Sequence, residues 1–139
     1  MTSAQFIGYC LNQTSAITNI ISTRIYHGMR PGSPSAASAI VPCINYFEMA
    51  GGNRASGFES VTYSINCRAT TAATALKLAR HVADLFHGTD SRGVYGDMNN
   101  FTVSKASLRQ QQGLIPEVGD NLYNAPVDIF IVYPSSTVS

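Results

Sequence analysis

The side chains able to do chemistry in this chain are few, and their spacing does not join them into a site. Cys10, Cys43 and Cys67 and His27, His81 and His87 are the soft donors and candidate nucleophile–base residues. A thiol nucleophile needs a histidine to take its proton and an acid to orient that histidine, and a structural zinc site needs four Cys or His donors at short spacings. Neither pattern is present: His81 and His87 are six apart on a helical stretch and point to different faces. The carboxylates Glu48, Glu59, Asp84, Asp90, Asp97, Glu117, Asp120 and Asp128 are scattered, and no Gly-x-Ser-x-Gly elbow occurs. Each cysteine lies in an apolar pattern and reads as a buried thiol behaving as a small hydrophobe, which suits a reducing cytosol. The run Gly51-Gly52-Asn53-Arg54-Ala55-Ser56-Gly57 lacks the Gly-Lys-Ser/Thr ending of a phosphate loop and precedes a strand, so it reads as a flexible hairpin tip, compatible with a contact arm. No catalytic residue, metal site or cofactor is expected, and the chain is not expected to be an enzyme.

The elements that would hold such residues are clearer. Val61, Tyr63, Ile65 and Cys67 alternate with Thr62, Ser64, Asn66 and Arg68, the period-2 pattern of a half-buried strand. Thr70 or Thr71 then caps a helix over 71–88, whose apolar stripe is read as Ala75, Leu76, Ala79, Val82, Ala83 and Phe86, with Gly88 as its stop. Residues 3–21 form a helical pattern with a break at Thr14-Ser15. A short extended step Arg24-Ile25-Tyr26 follows, then a long loop set by Gly28, Pro31, Gly32 and Pro34. Residues 39–49 read as a strand apolar on both faces, entered at Pro42, with Ile44 and Tyr46 on one side and Cys43 and Phe47 on the other. Residues 100–109 read as a strand in which Leu108 is out of phase with Phe101 and Val103, a sign of a bulge. Residues 110–120 read as a loop, 122–133 as a closing strand apolar on both faces near its end, and 135–139 as a flexible tail.

These elements predict one α+β domain over 1–139, an antiparallel or mixed sheet of about four strands with an N-terminal helix and a crossover helix packed on one face. Two helices cannot cover both faces of such a sheet. Ile44, Tyr46, Phe130 and Val132 are therefore expected on a second, uncovered face, and an exposed apolar patch marks an interaction surface. Composition agrees. Only 12% of the 139 residues are charged, about half the usual share, and the net charge is +1, so the surface is poor in the charges that keep monomers apart. Seven of the nine cationic residues are Arg, the cation favoured at interfaces. A dedicated nucleic-acid binder would need a basic excess that the chain lacks. No stretch approaches the ~18 apolar residues of a membrane span, and the first thirty residues carry no basic start followed by an apolar run, so a soluble protein without an export signal is expected.

The order of these features resembles the tail-completion, or tail terminator, proteins of long-tailed bacteriophages over nearly the whole chain. The points of match are Arg24-Ile25-Tyr26 with Gly28 and Pro31, the strand entering at Pro42, and Val61-Thr62-Tyr63-Ser64-Ile65-Asn66-Cys67 leading into the Ala-rich helix. The closing strand Val127-Asp128-Ile129-Phe130-Ile131-Val132-Tyr133 completes the order. The resemblance implies a homohexameric ring on the head-proximal end of the tail tube that ends tube polymerisation and joins the neck, with the tail tube protein and a neck or connector protein as partners. It also implies location in the virion after assembly in the host cytoplasm, with DNA passing through the lumen without sequence-specific binding. Another head-to-tail connector or minor capsid protein, and a small ligand-binding α+β module, are the alternative readings. The residues expected at subunit contacts are Ile44, Tyr46, Arg54, Thr62, Ser64, Asn66, Arg68, Phe130 and Val132, with Arg30 and Arg92 from loops. A near-neutral conduit should not hold DNA by its phosphates. The purified protein is expected to elute from immobilised DNA at low salt; tight, salt-sensitive retention would contradict this.

Overall fold

The structure is a computed structural model that describes residues 1–28, 41–55, 57–87, 96–98, 100–119 and 121–137. Helices α1 (Ser3–Gln13) and α2 (Ser15–Ile21) are followed by strands β1 (Ile25–His27), β2 (Cys43–Ala55) and β3 (Phe58–Ala69) and by helix α3 (Ala72–Phe86). Then come β4 (Gly96–Met98), β5 (Phe101–Val103), β6 (Lys105–Gln111), β7 (Ile115–Glu117) and β8 (Leu122–Pro134), and a single 3-10 turn, Ser135–Thr137. The helix starts follow from their caps. Thr2 Oγ1 accepts from the Gln5 amide at 3.2 Å while Gln5 Oε1 accepts from the Thr2 amide at 2.9 Å, a reciprocal box at α1. Thr71 Oγ1 accepts from the Thr74 amide at 3.3 Å and so starts α3. Thr14 adopts an extended conformation and separates α1 from α2, as the sequence suggests.

The sheet is mixed, with six strands: β1-β2-β3-β8-β6 in order, and β7 beside β8. Only β1 and β2 run parallel; the other pairs are antiparallel. Because β8 lies between β3 and β6, α3 crosses between two strands that are parallel but not adjacent. The count exceeds the expected four because β1 and β7 are three-residue pieces added at the ends of longer neighbours. β7 falls inside the expected loop 110–120, and its Pro116 is tolerated because the strand lies at an edge. A separate two-stranded ribbon joins β4 to β5.

One face of the sheet carries the core. Val61, Tyr63, Ile65 and Cys67 of β3, with Val127, Ile129 and Ile131 of β8, pack in one cluster with Phe6, Ile7, Cys10 and Leu11 of α1, Ile17 and Ile21 of α2, and the inner side of α3. The Phe6 and Phe101 rings stack at 4.5 Å, and Phe101 meets Tyr133 at 5.1 Å, which ties α1 to β5 and β8. Phe101 and Leu108 both reach this cluster although they differ in parity, because the strand breaks at Ser104 and restarts as β6.

Four expectations need correction. Ile44 and Tyr46 lie on the helix-covered face, buried in the core; the apolar runs in β2 leave its choice of face open, and pairing with Cys67 and Ile65 decides it. Leu76 is 47% exposed and Leu78 is buried in its place, since Leu78 shares the stripe of Ala75, Val82 and Phe86. Most of the glycine-rich run is strand and not turn: β2 continues through it to Ala55, opposite Phe58, with register shifts between Glu48 and Ala50 and between Ala50 and Asn53. Within the tail, the described residues Ser135–Thr137 are bonded to the domain: the Thr137 hydroxyl accepts from the Thr102 amide at 2.8 Å, and the Ser135 amide donates to the Gly57 carbonyl at 2.8 Å. The sheet, as above, is wider than four strands. Gly88, the expected stop of α3, lies outside the described residues.

The first helix is seated by two phenols. The Tyr46 hydroxyl donates to the Ala4 carbonyl at 2.9 Å, and the Tyr63 hydroxyl and Ser3 Oγ share a hydrogen bond of 2.7 Å. Burial pushes both phenols above their ordinary pKa, which keeps them protonated. A Cβ at Gly8 would lie 2.7 Å from the Tyr46 hydroxyl oxygen, so the helix approaches this closely only without a side chain there. Gly8→Ala, which in a free helix gains about 1 kcal/mol, is therefore expected to lower the thermal midpoint. In a Tyr46→Phe background the same change is expected to be neutral or stabilising, a reversal of sign that paired melting curves detect.

Candidate interface: the second face of the sheet

The even-numbered residues of β3 project from the other side of the sheet, and none of them belongs to the cluster that includes the helices. Register places their neighbours. Arg68 lies between Cys43 and Asn124, Asn66 between Asn45 and Pro126, Ser64 between Phe47 and Asp128, and Thr62 between Ala50 and Phe130. Ser60 and Phe58 continue the face beside Val132 and Pro134.

The half nearer β7 is polar and closely bonded. Arg68 Nε donates to Glu117 Oε1 at 2.8 Å and Nη2 to Oε2 at 3.5 Å, a forked ion pair between β3 and β7. Arg68 Nη1 donates to Asn45 Oδ1, and Asn45 Nδ2 donates to the Gly28 carbonyl at 3.0 Å. Asn124 Nδ2 donates to Asn66 Oδ1 at 2.9 Å, and Gln110 and Gln112 both donate to Asp128 Oδ2, at 2.9 and 3.0 Å. These side chains cover one another, so Asn45, Ser64, Asn66, Asn124 and Asp128 are all buried although no helix overlies them among the described residues. Asn124 Oδ1 and Asp128 Oδ1 have no partner among the described residues.

The half nearer the β2–β3 turn is apolar. Phe47 is 43% and Phe58 46% exposed, and Phe130 and Val132 are half-buried between them. The Arg109 guanidinium sits 5.2 Å from the centre of the Phe130 ring, a cation–π contact that still leaves the patch open. Arg54 is exposed and pairs with Glu59 at 3.4 Å near the turn. Of the residues expected at contacts, Thr62, Ser64, Asn66, Arg68, Phe130 and Val132 thus share this face, and Ile44, Tyr46 and Arg54 do not. Arg30 and Arg92 lie outside the described residues. Sequence reasoning missed Phe47 and Phe58, although the parity of Phe58 with Thr62 placed it here, and missed Asn45 and Glu117, whose roles depend on pairing across distant strands.

The candidate nucleophiles are all enclosed. Cys10, Cys43 and Cys67 are buried thiols outside any disulfide; desolvation pushes Cys10 up to about 12 and Cys67 well above the ordinary thiol range. Among the described residues no three Cys, His, Asp or Glu side chains could hold a metal ion together. No helix among them is long and apolar enough to cross a membrane.

No protein-family model and no curated protein sequence matches the chain. Among solved structures, a chain from the virion of a native gene transfer agent particle shares the fold with a TM-score of 0.65 and 12% sequence identity. The match covers 92% of this chain and 91% of that one. At that identity the likeness is one of fold.

The Arg68 fork joins three strands, so its removal is expected to be felt well beyond one contact. Arg68→Ala should lower unfolding free energy by about 2–3 kcal/mol, since Glu117 and Asn45 lose a charged partner together. Chemical denaturation measures this; a loss below about 0.5 kcal/mol, the level of an exposed pair, would contradict it.

Proposed function

We propose that this chain is a structural protein of a phage-like virion, acting as a tail terminator that forms a hexameric ring on the head-proximal end of the tail tube. The observation that carries this reading is the fold shared with a chain of a virion over nearly the full length of both. The open part of the second sheet face supports it, because Phe47, Phe58, Phe130 and Val132 all lie exposed or half-buried on that one face, which a ring contact would cover. In this role the domain, residues 1–139, does no covalent chemistry. It ends tube polymerisation, presents a surface to the neck and lets DNA pass. The fold likeness equally favours a second position in the same joint, a head-to-tail connector.

In a ring the contacts repeat by rotation, and each copy must offer two surfaces that fit each other. The second face is the first of these surfaces. Its polar half stiffens the sheet through the Arg68–Glu117 fork, and its apolar half supplies the area to be desolvated.

Electron microscopy and native mass spectrometry of the purified protein test the reading: a six-fold ring that binds tail-tube ends is expected, and a monomer that persists at high concentration counts against it. Phe130→Asp should leave a folded monomer, whereas Ile44→Asp, at a fully buried core position, should unfold the chain. A Phe130→Asp protein that assembles like the parent would remove this face from the contact.

A further inference from the structure

The outer side of α3 carries the second surface. Leu76 is exposed there beside Lys77 and Arg80, and with Ala83, Leu108 and Gln111 these residues line an open groove of ≈ 680 Å³ between α3 and β6. His87 and Asp84 complete its rim. Lys77, Arg80 and Asp84 form no ion pair among the described residues, so the groove presents two cations and one carboxylate around an apolar floor.

A complementary segment exists in the same chain. Phe47 and Met49 are 43% and 49% exposed, and Glu48 stands between them, exposed and without an ion pair among the described residues. The register shift between Glu48 and Ala50 leaves Met49 without a cross-strand partner, so the segment departs from the ladder. The two surfaces cannot meet within one molecule. β2 and β6 are separated by β3 and β8, roughly 14 Å across the sheet, and Phe47 projects from the face opposite α3.

We infer that the α3–β6 groove of one copy receives the Glu48-Met49 edge of β2 from the next, with Glu48, which projects on the α3 side of the sheet opposite Tyr63, set against Lys77 and Arg80 and Met49 against Leu76 and Leu108. The occupant is a second copy of this chain because each molecule carries one of each surface, with complementary charge, towards opposite edges of the sheet. Such a contact is head-to-tail, the type from which a closed ring is built when its rotation divides the circle. The inference rests on the ring reading and names the surfaces that make it.

Charge reversal tests the pairing. Sedimentation equilibrium is run on the parent, E48K, K77E/R80E and the combined E48K/K77E/R80E protein, with circular dichroism confirming that each is folded. Each partial reversal is expected to weaken assembly by about tenfold or more, and the combined protein to recover to within about threefold of the parent. A combined protein no better than the partial reversals overturns the pairing. A parent that assembles and is indifferent to both reversals also overturns it while leaving the ring reading intact; a parent that never assembles overturns both.

Discussion

The pairing of β3 with β8 governs the rest of this structure. The two strands stay in register along the whole of β3, from Phe58 opposite Pro134 to Ala69 opposite Tyr123, and every other long strand attaches to one of them. Because side chains alternate, this one register assigns each residue of the central ladder to a face. It puts Val61, Tyr63, Ile65 and Cys67 with Val127, Ile129 and Ile131 under the helices, and Thr62, Ser64, Asn66 and Arg68 with Asn124, Asp128 and Phe130 on the other side. A slip of one residue would turn one strand over against the other, placing either Arg68 or Asp128 beneath α3.

From that register follows the division of the second face. Its polar half is held by side chains that bond one another across strands β2, β3, β7 and β8 through the Arg68 fork, leaving Asn124 Oδ1 and Asp128 Oδ1 without a partner among the described residues. Such a network favours one arrangement of the strands, because a half-made set of buried polar contacts is costly. The apolar half has no such internal partners and remains available for a neighbour. The covered face is thus committed to folding, and the open one divides between rigidity and contact.

Much of the fold is legible in the sequence, and the misses share a cause. Strict alternation fixes β3, and Thr71 with the apolar stripe fixes α3, because those signals are local. The face of β2 is not local: Ile44 and Tyr46 alternate with Cys43 and Phe47, apolar on both sides, and only the pairing with Ile65 and Cys67 selects the core set. Leu76 and Leu78 are likewise both plausible members of a helical stripe until the sheet beneath chooses Leu78. Gly51 and Gly52 suggest a turn by composition, yet β3 supplies a partner strand that carries β2 past them with two register shifts. The candidate interface was half visible for the same reason. Its β3 and β8 residues follow from parity, whereas Asn45, Glu117 and Phe47 join them only through contacts between distant segments.

The central claim is that the second sheet face is covered by another copy of the chain. Hydroxyl-radical footprinting at concentrations below and above assembly reads this directly, residue by residue. Phe47, Phe58 and Phe130 are expected to be oxidised in the dilute protein and protected in the assembled one, while exposed Val118 is modified equally in both. Assembly that leaves the three phenylalanines as reactive as before would contradict the account.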